Sequence, residues 1–417
     1  MRDDTVDSKE QLARPRAGAN MAPGAGSRPR VLHLITKFEI GGTERQAVEL
    51  LNRLDPARYD VRLAAIRNEG PFYQELAGRY PDVPEYPLTS FYNANAVRQL
   101  SRLAGAMRRQ EIDILHAHDF YAGIIGAAAA RLARVRVIAS QRHLKLSDRR
   151  SHELGTRLIH RLAHRLLVNS EAIRDYILKH GSAPAGKIVV IRNGLHVDEE
   201  NPVKLAEVRR ELRRELGLEP DAKVAGMVAR LQPVKGHRYF IEAASIARVP
   251  DAHFVLVGDG PLKSEILQQA AALGIGGRVH LLGDRKDARR LVSAFDVAVL
   301  SSLHEGLPNS VMEAQAAGVP VVATAVGGTT ELISDKETGY LVPPEDARAL
   351  ADRIEFCLLD REEGARVGAR GRAFISDKYG VGRMVESVER LYDETLEGRS
   401  RRRMESGALK AENSGAI

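Results

Sequence analysis

Short apolar segments alternate with amphipathic segments along most of this chain of 417 residues, and this alternation restricts the fold more than any other feature. Helical patterns such as Thr43–Leu54 and Ala96–Gln110 separate segments that have the length and composition of strands. The predicted strands are 31–36, 60–66, 113–118, 135–140, 166–170 and 188–191, and then 224–229, 253–258, 279–283, 297–302 and 319–325. Such alternation is typical of parallel sheets covered by helices on both faces, so we predict an α/β fold with two doubly wound domains.

The rhythm is interrupted once, in the polar stretch 193–222, which contains Pro202 and Pro220, and we place the domain boundary there. The predicted segments are a flexible tail at 1–30, an N-terminal domain at 31–195, a C-terminal domain at 196–379, a helix at about 380–397 that completes the N-terminal domain, and a flexible basic tail at 398–417. Two such domains leave a cleft at the carboxyl ends of their strands, where ligands bind folds of this kind.

Composition excludes several classes of protein. The single cysteine, Cys357, rules out an internal disulfide and a multi-thiolate metal site, which fits a reducing cytosol. The longest uncharged apolar run, Ala122–Ala130, is far shorter than the roughly 18–20 residues that span a bilayer. The charged N-terminus has no apolar core that would form a secretory signal. We therefore expect a cytoplasmic protein, free in solution or peripheral at the inner face of the plasma membrane.

The charge is distributed unevenly between the two predicted domains. Residues 31–195 carry 25 basic and 16 acidic side chains, whereas residues 196–397 carry 26 basic and 33 acidic ones. The basic half indicates an anionic partner such as a membrane surface, a phosphorylated acceptor or a nucleic acid, and a solvated basic surface is the alternative.

Two glycines, Gly41 and Gly42, stand between a predicted strand and a helix that begins near Thr43. Glycine lets the backbone approach a ligand closely, and the free N–H groups of a helix N-terminus bind anions. An ordinary tight turn is the alternative.

Arg230 and Lys235 also follow a predicted strand and precede a helix, and two cations in that place suit a diphosphate. Two solvated surface cations are the alternative there.

The segment 301–322 carries two glutamates in a loop–helix context. We expect Glu305 in the loop, Pro308 at the first helical position, Glu313 in the second helical turn and Gly318 as the C-cap. Backbone N–H groups of Leu307 to Ser310 would then point into the cleft and bind phosphate or sugar oxygens. A carboxylate pair also occurs in glycoside hydrolases, but Glu313 would lie too deep in the helix for that role.

Two further segments contain candidate functional residues. His116 and His118 lie on the strand 113–118, and we expect their side chains on opposite faces, with His118 entering the cleft and His116 buried. A zinc site is disfavoured because no further ligand is evident.

The basic stretch 141–167 has the pattern of an amphipathic helix with Arg157, Arg161 and Arg165 on one face, which indicates membrane-surface binding. An ordinary packed helix is the alternative. Nucleic acid is not expected as a partner, since no Phe, Tyr or Trp lies in that stretch.

In their order and spacing, the motifs resemble the retaining glycosyltransferases of family 4, which have two facing Rossmann-like domains in the GT-B architecture. The resemblance covers about residues 31–397. The segments that carry it are IGGTER, VARLQPVKG, LVGDGP, LLGDRKD, EGLPNSVMEAQAAGVPVVAT, GGTTELI and ETGYLVPPED.

The resemblance implies a role for each matching residue. The predicted catalytic residues are Glu305, His118, Arg230 and Lys235, and the predicted donor-binding residues are Gly41, Gly42, Arg230, Lys235, Asp284, Arg285, Glu305, Gly306, Leu307, Pro308, Asn309, Ser310 and Glu313. Glu305 looks like the glutamate that contacts donor-sugar hydroxyls, and Glu313 like the one that holds the ribose. Asp284 and Arg285 lie where relatives hold the base. Glu331 is similar to the acid of a Gly-Gly-x-x-Glu segment.

Two positions, Leu307 and Gln315, depart from the usual family pattern and bear on the choice of sugar.

The implied substrates are a nucleoside diphosphate sugar and a glycan or lipid-linked acceptor, with no cofactor and no metal. Because the motifs contain no clear nucleophilic carboxylate, our hypothesis is attack on the face from which the diphosphate leaves, so that the anomeric configuration is retained. The alternatives are a GT-B epimerase or phosphorylase, and a nucleotide-sugar-binding subunit without turnover.

Overall fold

The computed structural model describes residues 28–144, 150–197 and 202–414, and all of its strands are in parallel sheets. The strands are β1 Arg30–Ile35, β2 Asp60–Ala65, β3 Ile114–Ala117, β4 Arg136–Gln141, β5 Arg165–Val168, β6 Ile188–Val190, β7 Lys223–Val228, β8 Ala252–Val257, β9 Val279–Leu281, β10 Val297–Leu300, β11 Val321–Thr324 and β12 Tyr340–Val342. The predicted strands are all present, and β12 is additional.

Helices connect the strands in sequence. They are α1 Gly42–Arg53, α2 Phe72–Ala77, α3 Ala94–Arg109, α4 Phe120–Ala133, α5 Arg150–Leu162, α6 Glu171–Lys179, α7 Pro202–Glu215, α8 His237–Ile246, α9 Lys263–Ala272, α10 Ala288–Val292, α11 Asn309–Ala316, α12 Thr329–Leu332, α13 Ala347–Leu359, α14 Arg361–Lys378 and α15 Val381–Ser414. Among the described residues, no helix combines the length and the apolar character needed to cross a bilayer.

The two sheets have six strands each, in the orders β2-β1-β3-β4-β5-β6 and β12-β11-β10-β7-β8-β9. In a doubly wound sheet, the crevice for a ligand opens where the strand order reverses, because the helices on either side of that point leave in opposite directions. The reversal lies beside β1 in the first sheet and between β7 and β10 in the second. The α/β prediction of two doubly wound domains is confirmed, and the two reversal points position the site.

Helix α15 returns from the second domain to the first. Its buried side chains, among them Val388 and Tyr392, pack with Val31 of β1 and Ile138 of β4 in one apolar cluster. Apolar burial of this kind stabilises a fold by roughly 25 cal/mol for each Å² removed from water. The first domain therefore contains sequence from both ends of the described chain.

Two expectations about chain segments differ from the structure, namely the flexible tail at 398–417 and the single helix at 141–167. Residues 398–414 continue α15 in place of the flexible tail expected there, because Arg, Met, Glu, Ala and Lys in this segment are strong helix formers; 415–417 and 1–27 lie outside the described residues. The polar stretch 193–222 contains α7, which packs on the core of the second domain.

The stretch 141–167 is not one helix. It comprises the end of β4, the helix α5 and the start of β5, while 145–149 lie outside the described residues. Arg165 consequently begins β5 and does not share a helical face with Arg157 and Arg161.

Candidate active site

The carboxyl ends of the two sheets meet at a cleft of about 880 Å³. Loops that follow β1, β7, β9 and β10 line it, together with the residues that follow β4, β5 and β6. The predicted site residues that line the cleft are Gly41, Gly42, Arg230, Lys235, Asp284, Arg285, Glu305, Gly306, Leu307, Pro308, Asn309, Ser310 and Glu313. Segments that are far apart in the chain thus contribute to one cavity, because the carboxyl ends of parallel strands lie at one edge of each sheet.

The two predicted cations follow β7. Arg230 donates from Nη2 to the carbonyl oxygen of Ile40, 2.8 Å away in the first domain. Lys235 ends a short 3₁₀ turn, and its Nζ lies 2.6 Å from Oε1 of Glu305. Ser302 donates to the same carboxylate oxygen at 2.6 Å. The carboxylate of Glu305, whose side chain is only 8% exposed, is therefore fixed by a cation and a hydroxyl.

The loop after β10 leads into α11, which begins at Asn309. Pro308 is the residue before the helix, not its first residue, and it has no N–H group to offer. The first-turn amides of α11 have no acceptor within the helix, so Asn309 and Ser310 supply donors at the cleft wall. Asn309 also donates from Nδ2 to the carbonyl oxygen of Gly42 at 3.2 Å, which joins the two domains.

Glu313 lies in the second turn of α11 and lines the cleft. Burial raises its pKa to about 7, and the nearby cations Arg289 and Arg45 oppose that rise. This carboxyl group therefore changes its charge close to neutral pH. In its ionised form it can accept hydrogen bonds from hydroxyl groups of a ligand.

Asp284 and Arg285 belong to the loop after β9. The carboxylate of Asp284 accepts a hydrogen bond from the backbone N–H of Asp259 at 3.0 Å. Arg285 pairs with Asp287 at 2.8 Å and with Glu215 of α7 at 2.6 Å. Both residues line the cleft, so this loop forms a firm wall on the side of the second domain.

The glycines of the site provide space. A Cβ atom on Gly42 would lie 3.2 Å from Nδ2 of Asn309, and one on Gly306 would collide with the carbonyl oxygen of Arg142 in the first domain. Neither glycine is among the residues with positive φ. Gly306 is required because the two domains approach each other closely there, whereas Asn309 would have to shift by a few tenths of an ångström to admit a Cβ on Gly42.

His118 does not line the cleft, contrary to our expectation. It follows β3 directly, it is 1% exposed, and its ring stacks on that of His116 with centroids 4.2 Å apart. Residues at i and i+2 of a strand project from the same face, so the expectation of opposite faces was wrong. The backbone N–H of His118 continues the sheet by donating to Leu34. The structure thus keeps His118 in the core of the first domain.

A third histidine joins this pair. His33 is paired with His116 in the register of β1 and β3, and its Nδ1 lies 2.8 Å from Nε2 of His118. Tyr392 of α15 bonds to Nδ1 of His116 at 2.7 Å and to Nε2 of His33 at 3.3 Å. Burial lowers the pKa of His33 to about 3, so the ring is neutral at physiological pH.

Sequence reasoning found no third ligand beside His116 and His118. The structure supplies one in His33, since nitrogen atoms of the three rings lie within 4.8 Å of one another. Most of these nitrogens already bond within the network, and the cluster lies outside the cleft.

Several cleft residues escaped the sequence analysis. They are Arg142 and His143 after β4, Asn169 after β5, and Asn193 after β6. The signal was available, because ligands bind at the carboxyl ends of parallel strands and these polar residues follow the strands directly. Asn193 donates to Oδ1 of Asn309 at 2.7 Å and accepts from Nη1 of Arg142 at 2.6 Å. The first domain therefore supplies a polar wall of its own.

Both domain connections pass beside this wall. The backbone of Leu195 pairs with the return connection through bonds to Tyr379 and Val381. Gln46 of α1 donates to the carbonyl oxygen of Gly194 at 3.0 Å and accepts from its N–H at 2.9 Å. These bonds tie the crossover segments to the cleft.

Glu331 also lies at the boundary between the domains. Its carboxylate accepts from the N–H of Ala172 at 3.2 Å and pairs with Arg192 at 3.2 Å.

Two facing Rossmann-like domains with this cationic, amide-lined cleft define the GT-B class of enzymes. Residues 208–374 match the protein family described as "Glycosyl transferases group 1", and residues 40–199 match the family described as "Glycosyltransferase Family 4". The chain belongs to the group 1 glycosyltransferases of family 4 and is an enzyme of that class.

Individual relatives agree with this assignment. The UDP-Gal:alpha-D-GlcNAc-diphosphoundecaprenol alpha-1,3-galactosyltransferase of Escherichia coli is 28% identical over 338 residues, which are 77% of this chain and 85% of that protein. The D-inositol 3-phosphate glycosyltransferase of Corynebacterium glutamicum is 30% identical over 298 residues, 65% of this chain and 71% of the relative. The crystal structure of Anabaena Alr3699/HepE in complex with UDP and glucose has a TM-score of 0.77 at 24% identity and covers 88% of this chain and 100% of its own. That structure supports the fold.

Proposed function

We propose that this enzyme transfers a sugar from a uridine diphosphate sugar to a hydroxyl group of a lipid-linked glycan or polysaccharide precursor, with retention of the anomeric configuration. The observation that carries the proposal is the convergence of Arg230, Lys235, Glu305 and the start of α11 on one cleft between the domains. UDP is supported by the names of the Escherichia coli relative and of the Anabaena complex.

The leaving group determines the first part of the mechanism. A departing diphosphate gains negative charge, and Arg230, Lys235 and the first-turn amides of α11 are placed to stabilise it as that charge develops. Because these donors are fixed before the reaction, little reorganisation is needed in the transition state. Glu305, held by Lys235, is placed to accept hydrogen bonds from hydroxyl groups of the donor sugar.

The acceptor approaches from the first domain. Its hydroxyl oxygen forms the new bond to the anomeric carbon on the face from which the diphosphate oxygen departs. The released diphosphate oxygen takes the hydroxyl proton, so no separate protein base is required. His118 has no part in this proposal, because it lies in the core and not at the cleft. Trapping of a covalent sugar–enzyme ester would contradict this mechanism.

We also propose that transfer needs no metal ion. Arg230 and Lys235 carry the positive charge that a divalent cation would otherwise supply to the diphosphate. Activity that is unchanged by a chelator, with equal turnover after Mg²⁺ is added back, is the expected result. Loss of turnover in the chelator and recovery with Mg²⁺ would contradict it.

The basic domain suggests a location at the cytoplasmic face of a membrane that contains anionic lipid. Helix α5 exposes Leu154 and Leu158, 65% and 44% accessible, beside the exposed Arg157 and Arg161. Apolar side chains next to cations on one helix favour binding to an anionic lipid surface. A lipid-linked acceptor would be presented at that surface.

The central experiment measures UDP release. The purified protein is incubated with a panel of UDP-sugars, with and without lipid-linked acceptors. Release that requires an acceptor and forms a larger glycan supports transfer. Interconversion of free UDP-sugars would instead support an epimerase, and formation of a sugar phosphate from inorganic phosphate would support a phosphorylase. The names of the relatives favour the transferase.

A further inference from the structure

Arg142 is a buried cation in the wall of the cleft. It follows β4 directly, is 9% exposed, and donates from Nη1 to Oδ1 of Asn193 at 2.6 Å. Its Nε is buried and has no hydrogen-bond partner within the described residues. A buried donor without a partner is costly, so natural structures seldom keep one unless a ligand or water completes it.

The charge of Arg142 is also uncompensated. Among the described residues, no carboxylate lies within ion-pair distance of its guanidinium, whereas Lys235 is paired with Glu305. Burial lowers the pKa of Arg142 to about 10, and Glu44 is the one charge that opposes this effect. The guanidinium nevertheless keeps its proton at neutral pH, so a full positive charge remains beside the cleft.

The residue that follows Arg142 adds no charge to this part of the cleft. His143, next in the chain, also lines the cleft, and burial and Arg142 lower its pKa to about 4, so it is neutral. The carbonyl oxygen of Arg142 faces Gly306 at the loop that precedes α11. Arg142 therefore belongs to the first-domain wall of the cleft, whereas Arg230 and Lys235 belong to its second-domain wall.

We propose that Arg142 forms an anion subsite in the first-domain wall of the cleft, and that this subsite takes a phosphate group of the acceptor. The proposal rests on the proposed function and narrows its acceptor to sugars that carry phosphate near the reacting hydroxyl. A guanidinium offers parallel N–H donors that match phosphate oxygens, which a lysine ammonium cannot reproduce. The same chemistry could be met by the donor diphosphate, and the test separates the two sources.

The test uses the full-length protein with Arg142→Gln and Arg142→Lys, and Arg98→Gln as a control at an exposed arginine of α3. The probes are N-acetylglucosamine 1-phosphate, its uncharged methyl glycoside, and UDP, each measured by calorimetry at constant ionic strength. We expect the wild type to bind the sugar phosphate at least tenfold more tightly than the methyl glycoside. Arg142→Gln should abolish this preference, Arg142→Lys should retain only a small part of it, and Arg98→Gln should leave it unchanged.

The affinity for UDP assigns the source of the anion. If Arg142→Gln binds UDP with an affinity within twofold of the wild type, the anion subsite is assigned to the acceptor. A loss of tenfold or more for UDP, with no preference for the sugar phosphate in any protein, overturns it in favour of the donor. An unchanged preference in both Arg142 variants overturns the subsite. Wild-type protein that fails to bind UDP counts against the proposed function, while the comparison between sugar phosphate and methyl glycoside still tests Arg142. Arg142→Lys keeps the test valid if Arg142→Gln does not fold.

Discussion

The Nζ atom of Lys235 lies 2.6 Å from Oε1 of Glu305, and this pair joins the loop after β7 to the loop after β10. β7 and β10 are neighbours in the sheet although more than sixty residues separate the two side chains. The pair thus lies at the reversal of strand order in the second domain. A buried carboxylate held by a cation is costly to leave unpaired, so both residues depend on each other.

Replacement of Glu305 by alanine is expected to reduce turnover by a factor of roughly 10² to 10³, the usual effect of removing a preorganised polar group from an active site. The measurement is acceptor-dependent UDP release at saturating donor. The thermal midpoint should show that the fold persists. Glu362→Ala, at a side chain that is 86% exposed on α14, is the matched control and should retain full activity. Equal activity of the two variants would show that Glu305 does not contribute to turnover.

The raised pKa of Glu313 predicts a specific dependence of stability on pH. The pKa is about 7 in the folded protein and 4.5 for a free glutamate, so the folded state holds the proton more tightly. Stability should therefore fall as the pH rises from about 4.5 to 7 and then level off as far as this group is concerned. Thermal midpoints between pH 4.5 and 8 measure this, and Glu313→Gln should lack that component of the decline. A variant curve parallel to that of the wild type would contradict the assignment.

Gly306→Ala tests how closely the two domains must approach. The added Cβ would collide with the carbonyl oxygen of Arg142, so the domains should be held apart. A displacement of about 1 Å at reacting groups can cost on the order of 10²-fold in rate, and we expect a loss of this size in turnover. Gly78→Ala is the control, because a Cβ there has no atom within 4 Å. Equal turnover in both variants would show that this contact is not needed.

The exposed face of α5 predicts salt-sensitive membrane binding. The double variant Arg157→Gln and Arg161→Gln should weaken sedimentation with anionic vesicles by about 1 kcal/mol for each cation removed, which is roughly a factor of five each. Arg366→Gln on α14 is the control for a loss of exposed charge elsewhere. All of these proteins should bind only weakly to vesicles made of neutral lipid. Binding to anionic vesicles that is equal in every variant would argue against this face.

Local patterns were sufficient for much of the fold and for part of the site. The alternation of apolar and polar residues placed the strands, and turn residues near Gly41 and Gly318 marked the ends of helices. The strand–loop–helix pattern of 301–322 placed Glu305 in a loop and Glu313 in the next helix, as the structure has them. The error at His118 came from misjudging the period of a strand, which is a local rule. The error at 398–414 came from relying on the lack of hydrophobic periodicity, although the segment is rich in helix-forming residues.

Tyr392 makes contacts that local sequence patterns cannot predict. Its hydroxyl bonds to His33 and His116, which are 359 and 276 residues away in the chain, and no local pattern connects these positions. Arg142 likewise contacts residues that are distant in the chain, because its guanidinium donates to Asn193 and its carbonyl oxygen lies against Gly306 of the second domain. Periodicity and turn preference act over a few residues, so they can be read directly along the chain. The contacts that desolvate a charge, pair one histidine with another and bring two domains together form only on folding, because they join residues that the chain keeps far apart.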